Sequence, residues 1–197
     1  VRDLATRMVT RRLEVLTKEE NAPILDGRAD IGPFLRLIDY AELEVTAPPA
    51  RWADAVALGA RELKRAMTHG FTRSELAAAR AELLAELENQ AKSAPTRKSR
   101  DLADEIVRSL GAEKVFTHPA AELPRVREAL ASVTPEEAHE AFREGFGSKD
   151  LSVFAAGLLP PSPDGETLEA ALQRGMSEKT EPPVEEADLT FAYTDFG

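Results

Sequence analysis

One short segment, THGFTRSEL at residues 68–76, constrains this fold most because it separates two long amphipathic stretches. The stretch before it carries apolar or small residues every three or four positions, namely Trp52, Val56, Gly59, Leu63 and Met67. That spacing predicts a helix, with Gly70 as its left-handed stop. Thr72 and Glu75 then form a T-x-x-E capping box, which is typical of a helix start. The sequence therefore predicts a helical hairpin over residues 52–92.

Four further stretches have the spacing and the boundary residues of amphipathic helices. The first opens the chain and ends near KEENAP, where Pro23 forbids continuation. Its apolar stripe consists of Leu4, Ala5, Met8, Val9, Leu13 and Leu16. A second helix follows Pro95, and a third is centred on residues 123–130. A fourth begins at the cap Thr134, with Glu137 as its capping-box partner.

The remaining apolar stretches predict strands. Residues 23–32 have an extended character, and residues 35–47 alternate between apolar and polar positions. With Gly32-Pro33 between them, the two segments predict an antiparallel pair. LSVFAAG at residues 151–157 predicts a buried strand. The expected fold class is thus α+β, a small antiparallel sheet packed by several long helices.

The composition changes near residue 159. Residues 164–197 contain nine acidic side chains and two basic ones, a net charge of −7 within a total of −10. Five prolines lie between residues 160 and 183, and one short helix is expected near 166–175. This pattern predicts a folded domain over residues 1–158 and an acidic, proline-rich linker over residues 159–197 that leads to a following domain.

Composition also excludes several classes of function. A net charge of −10 argues against nucleic-acid binding, and the compact basic cluster TRKSR at 96–100 is interpreted as a solvated helix start. The chain has no cysteine, which excludes disulfides, thiolate metal sites and cysteine nucleophiles. No apolar run is long enough to predict a membrane span.

The three histidines do not form a metal motif. His69, His118 and His139 include no pair three or four residues apart, so no helix turn offers two imidazoles to one zinc ion. His69 falls in the last turn before Gly70, where a cation favours the helix dipole, so we expect it to cap that helix.

The carboxylates give no clearer site. Glu82 and Glu86 share one face of the second hairpin helix, but Arg73 and Arg80 lie near them in sequence and favour a mixed-charge surface. Neither a G-x-S-x-G elbow nor a glycine-rich phosphate loop is present. The sequence therefore predicts no catalytic, cofactor-binding or metal-binding residue in this chain.

The segment ELKRAMTHGFTRSELAAARAELLAELE resembles the insulinase/pitrilysin family of zinc metallopeptidases, the inverzincins. The likeness rests on Gly70-Phe71-Thr72, Glu75-Leu76 and Ala79-Arg80. It continues through SRDLADEIVRSL and THPAAELPRVREALASVTPEEAHEAF to LSVFAAG, and so covers about residues 1–157.

The resemblance implies a chain built from homologous domains of about 200 residues, arranged as two halves of a clam shell around a peptide chamber. It implies zinc in the first domain of the parent protein, held by H-x-x-E-H and a distal glutamate. This chain has no such motif, so the resemblance identifies it with the later part of a non-catalytic second domain that lacks its first strands. A bacterial periplasmic or exported location is implied in the same way.

Two functions are therefore expected. The first is a catalytically silent domain of a zinc metalloendopeptidase, with the other domains of the polypeptide and peptide substrates as partners. The alternative is a stand-alone helical module that docks a protein through the hairpin at 52–92.

Overall fold

The computed structural model describes residues 1–34, 37–148, 151–159 and 163–186. Within them the chain forms seven α-helices and a two-stranded sheet. In chain order the elements are α1 (Arg2–Leu16), β1 (Asp26–Phe34), β2 (Ile38–Thr46), α2 (Trp52–His69), α3 (Arg73–Ser93), α4 (Ser99–Gly111), α5 (Pro119–Ala131), α6 (Pro135–Phe146) and α7 (Gly165–Ser177). The predicted α+β architecture is confirmed. No helix in this described part is long and apolar enough to cross a membrane.

The first helix, α1, is the centre of the core. Five residues of its predicted stripe have no exposed surface, namely Leu4, Ala5, Met8, Val9 and Leu13. α1 packs against β1 on one side and against α3 and α6 on the other. Since burying one large aliphatic side chain contributes about 1.5–3 kcal/mol, this stripe is a main source of stability.

α1 ends next to the predicted KEENAP segment. It stops at Leu16, where the hydroxyl of Thr17 donates to the carbonyl of Glu14 at 2.7 Å. Asn21 then adopts a positive φ of 59°, a conformation that asparagine tolerates. This turn brings Ile24, which is 1% exposed, back into the core.

The two strands pair antiparallel, with Asp26 opposite Thr46 at one end and Phe34 opposite Ile38 at the other. The predicted turn at Gly32-Pro33 is wrong, because both residues belong to β1 and the chain reverses after Phe34. A proline near the tip of a two-stranded hairpin removes one donor without interrupting a central ladder.

The buried strand predicted at residues 151–157 is also wrong. The segment has no regular structure, and Leu151 and Phe154 are 50% and 88% exposed. In the described part of the chain, β1 and β2 pair only with each other, so residues 151–157 have no strand beside them. Apolar character predicts a strand, but a strand forms only where a neighbour accepts its backbone hydrogen bonds.

The short helix expected near 166–175 is confirmed as α7, and it packs lengthwise on α2. Arg174 Nη2 donates to the carbonyl of Ala53 and to Asp54 Oδ1, both at 2.9 Å. Gly175 lies against the backbone of α2 so closely that a Cβ would collide with it. The described residues 163–186 therefore lie on the domain, while the boundary at residue 158 stays a prediction.

Candidate functional site

The three histidines make structural hydrogen bonds. His69 Nε2 lies 3.0 Å from the carbonyl oxygen of Thr180, and His139 Nε2 lies 3.0 Å from a carbonyl of α2. Because a carbonyl oxygen only accepts, each of these nitrogens carries a hydrogen and cannot bind a metal in this arrangement. His118 Nδ1 accepts from an amide in the first turn of α5, as an N-cap. The described residues contain no group of three or more His, Asp or Glu side chains arranged to hold a metal ion.

The capping role expected for His69 needs a correction. His69 does lie in the last turn of α2, but its ring bonds the backbone and hydroxyl of Thr180 rather than the carbonyls of its own helix. The stop is made by Gly70, with φ 67° and ψ −143°. This conformation lies outside the left-handed helical region and is open essentially to glycine alone.

Glu82 and Glu86 do lie on one face of α3, but they bind an arginine. Arg7 of α1 donates to Glu82 at 3.3 Å and to both oxygens of Glu86 at 2.9 and 2.7 Å. The hydrogen bond from Arg7 lowers the pKa of Glu86, despite an opposing effect of burial. A mixed-charge surface is confirmed, although its cation comes from α1 rather than from Arg73 or Arg80.

Several polar contacts meet at the corner between α2 and α3. Both bonds of the predicted capping box form: Glu75 donates its amide to Thr72 Oγ1 at 3.1 Å, and Thr72 donates its amide to Glu75 Oε2 at 2.8 Å. The second predicted box, Thr134 with Glu137, forms in the same way at the start of α6. The sequence therefore located both helix starts correctly.

A buried arginine ties this corner to the central helix. Arg12 of α1 donates to Glu75 from Nε and Nη2, at 2.5 and 2.9 Å, and from Nη2 to the carbonyl of Gly70 at 2.7 Å. Its guanidinium also lies 5.0 Å from the ring centroid of Phe71, within cation–π distance. The Arg12 side chain is only 8% exposed. Glu75 therefore caps α3 and at the same time neutralises a buried charge.

Aromatic packing holds the other side of the corner. Phe71 meets the rings of Phe142 and His139 edge-on, with centroids 5.7 and 6.4 Å apart. A Cβ at Gly70 would lie 2.8 Å from Cγ of His139, so glycine is required by close approach as well as by φ. The corner thus joins α1, α2, α3 and α6 through a few residues.

Arg12 was missed by sequence reasoning, although a signal exists. It lies four residues after Met8 and next to Leu13, within the apolar stripe of α1, where an arginine must have a buried partner. Nothing in local sequence identifies that partner as Glu75, because the two are far apart in the chain.

Two small depressions lie on the described surface. Two polar depressions enclose about 230 and 200 Å³. The larger lies along the hairpin at Gly27, Arg28 and Glu44, and the other lies beside Arg7 and Arg11 of α1. Ligand pockets usually measure about 300–1,000 Å³. Both depressions are therefore smaller than a usual ligand pocket.

Comparison with solved structures identifies the fold of this chain. No protein-family model and no curated protein matches the sequence. The structure of the first half of the periplasmic protease PqqL from Escherichia coli matches with a TM-score of 0.66 and 20% identity, over 92% of this chain and 40% of that one. The complete PqqL structure matches with a TM-score of 0.69 and 19% identity, over 96% of this chain and 22% of that one.

A predicted insulinase family protease from Yersinia pestis is similar in the same way. It matches with a TM-score of 0.65 and 13% identity, over 89% of this chain and 38% of that chain. The resemblance found in the sequence is thus confirmed at the level of fold: this chain has the fold of a part of insulinase-type proteases. It spans less than half the length of each of these structures.

Proposed function

We propose that this chain is a catalytically silent structural domain of a zinc-dependent metalloendopeptidase, and that it forms part of the wall of a peptide-enclosing chamber. The observation that supports this most is the match of 92% of the chain to the first half of a periplasmic protease. The hydrogen bonds of His69 and His139 and the pairing of Glu82 and Glu86 with Arg7 also favour a structural role for these candidates. In this proposal the zinc belongs to another domain of the parent protein.

The exposed apolar surface fits a domain that contacts other domains. Phe154 and Leu158 are 88% and 91% exposed in a segment without regular structure, and Leu37 is 81% exposed at the hairpin tip. Single exposed apolar residues are ordinary, but an apolar segment that has no strand partner is available for pairing with a strand of another domain. We place the partners in the same polypeptide, in a periplasmic protein, with the domain boundary near residue 158.

The alternative, a free-standing module that docks a partner through residues 52–92, finds less support. The apolar face of α2 is already packed against β2, α6 and α7 of this chain. Leu58 and Leu63 on that face are each 8% exposed.

Metal analysis and a peptidase assay on the 197-residue chain test the proposal. We expect no stoichiometric zinc and no cleavage of an unfolded peptide, and one tightly bound zinc per chain would overturn it. The coding sequence before Val1 separates the two functions. An H-x-x-E-H motif within about 200 residues upstream, one domain length, supports the peptidase, and a reading frame that begins near Val1 contradicts it.

A further inference from the structure

The segment after α7, residues 178–186, lies along the outer face of α2. Three side chains of α2 donate to its backbone carbonyls, namely Lys64 Nζ to Glu178 at 2.6 Å, Arg65 Nε to Glu181 at 3.0 Å and His69 Nε2 to Thr180 at 3.0 Å. Lys64 and Arg65 are adjacent and His69 lies one turn further along, so the three donors form one polar edge of the helix. The backbone carbonyls of Glu178, Thr180 and Glu181 accept along that edge.

The far end of the segment reaches the start of α3. The carboxylate of Glu185 accepts from the amide of Arg73 at 3.0 Å and from the amide of Ser74 at 2.7 Å. The amide of Glu186 also donates to Ser74 Oγ at 3.2 Å. A negative charge at a helix N-terminus is favoured by the helix dipole and by the free amides there.

Glu185 caps two amides of α3 that the capping box does not satisfy. The capping box satisfies the amide of Glu75, the third helical residue, through Thr72 Oγ1. The amides of the first two residues, Arg73 and Ser74, have no helical carbonyl to bond, as at every α-helix start. Glu185 accepts from both, so the first turn of α3 is capped jointly by Thr72 and by a residue far along the chain.

The segment is held by hydrogen bonds rather than by burial. The side chains of Lys179 and Glu181 are 86% and 71% exposed, and Val184 is 83% exposed. The corner beneath it is by contrast anchored in the core through Arg12 and Phe71. Segments with few buried apolar contacts open locally at a much lower free energy than the core. The corner is therefore held in place by the core, whereas residues 178–186 can detach from it.

We propose that residues 178–186 form a releasable strap, clamped by Glu185 to the start of α3, whose seating decides whether the chain after α7 stays on this domain. Release requires a few exposed hydrogen bonds and the part-buried bonds of His69 to exchange with water, while α1, α2, α3 and α6 remain packed. The inference holds whether or not the parent protein is a peptidase, since it concerns this chain alone.

The test compares E185Q with E186Q in the full chain. The two substitutions are chemically identical and adjacent, but only the Glu185 carboxylate bonds the α3 amides, whereas Glu186 contributes its own amide. In E185Q we expect amide exchange at Arg73 and Ser74 to accelerate about two- to fivefold, the scale of a carboxylate at an exposed helix N-terminus. Trypsin cleavage after Lys179 should accelerate by a similar factor, and E186Q should behave as wild type in both measurements.

Any of three results would overturn the strap. If E185Q accelerates exchange but leaves cleavage after Lys179 at the wild-type rate, Glu185 is only a local cap. If E185Q and E186Q behave alike, the carboxylate contact does not hold the segment. Cleavage is also measured as a function of urea: local release predicts a rate that changes little well below the unfolding midpoint of each variant, and a cleavage rate that follows global unfolding would refute it.

Discussion

Replacing Glu75 by glutamine should destabilise the fold by about 2–3 kcal/mol. Glutamine retains the capping box with Thr72, so the substitution removes mainly the negative charge that faces Arg12. Breaking a fully buried ion pair costs about 3–5 kcal/mol, because the remaining charge has no compensation. Here the Glu75 side chain is 19% exposed, and Arg12 keeps its bond to the Gly70 carbonyl. Arg12 Nη1 also has no hydrogen-bond partner among the residues that the structure describes. The charge pair is therefore imperfectly compensated in the wild type, and the cost falls below the full value.

The measurement is urea unfolding followed by fluorescence of Trp52, the only tryptophan of the chain. Glu137→Gln is the matched control, since Glu137 makes the same capping box at the exposed start of α6. We expect that control to cost at most about 0.5 kcal/mol, as a preserved cap without a charge partner. If the two substitutions cost the same, the Arg12–Glu75 pair does not stabilise the fold and the reasoning fails.

Three further predictions use the same unfolding assay. Phe142→Ala should cost about 3–5 kcal/mol because Phe142 has no exposed surface, whereas Phe154→Ala should cost less than about 0.5 kcal/mol because Phe154 is 88% exposed; equal costs would contradict the described core. Gly70→Ala should cost about 1–3 kcal/mol, since alanine is strained at φ 67° and its Cβ would meet the His139 ring; a neutral effect would mean that the corner relaxes freely. Arg7 lowers the pKa of Glu86 below its ordinary value of 4.5, so the stabilisation is complete above that pH and is lost as the pH falls through the lowered pKa. The difference in unfolding free energy between wild type and Glu86→Gln should therefore shrink from pH 7 to pH 3, and a constant difference would contradict the ion pair.

Helix starts and stops were predictable because their signals are local. Thr72 with Glu75, and Thr134 with Glu137, each specify a cap within four residues, and both caps form. The stripe of α1 was equally predictable, since five of its six residues are fully buried. In each case neighbouring residues carry the physical cause, so a single window of sequence contains it.

The incorrect or missed features depend instead on residues that are distant in the sequence. Residues 151–157 are apolar enough for a strand, but whether a strand forms depends on a partner elsewhere in the sheet. The partner of His69 is Thr180, and that of Arg12 is Glu75, each contributed by a distant part of the chain. The hairpin turn does not lie at the predicted Gly32-Pro33, because the strands remain paired as far as Phe34 and Ile38. Pairings of this kind are set by the fold, and no local pattern encodes them.

The contacts around residues 68–76 give the sequence signature of this corner a structural explanation. On the core side, Arg12 donates a hydrogen bond to the backbone of this corner. On the outer side, the carboxylate of Glu185 accepts hydrogen bonds from the first amides of α3. Each contact fixes the position of a helix, and together they explain why glycine and the capping pair stand there without invoking a substrate. In the proposed peptidase the same rigidity has a use: a chamber wall must keep its shape while peptide is turned over elsewhere. A strap that releases from this corner would then free the following chain without disturbing the wall, because the contacts that hold the wall lie on the opposite side of the corner.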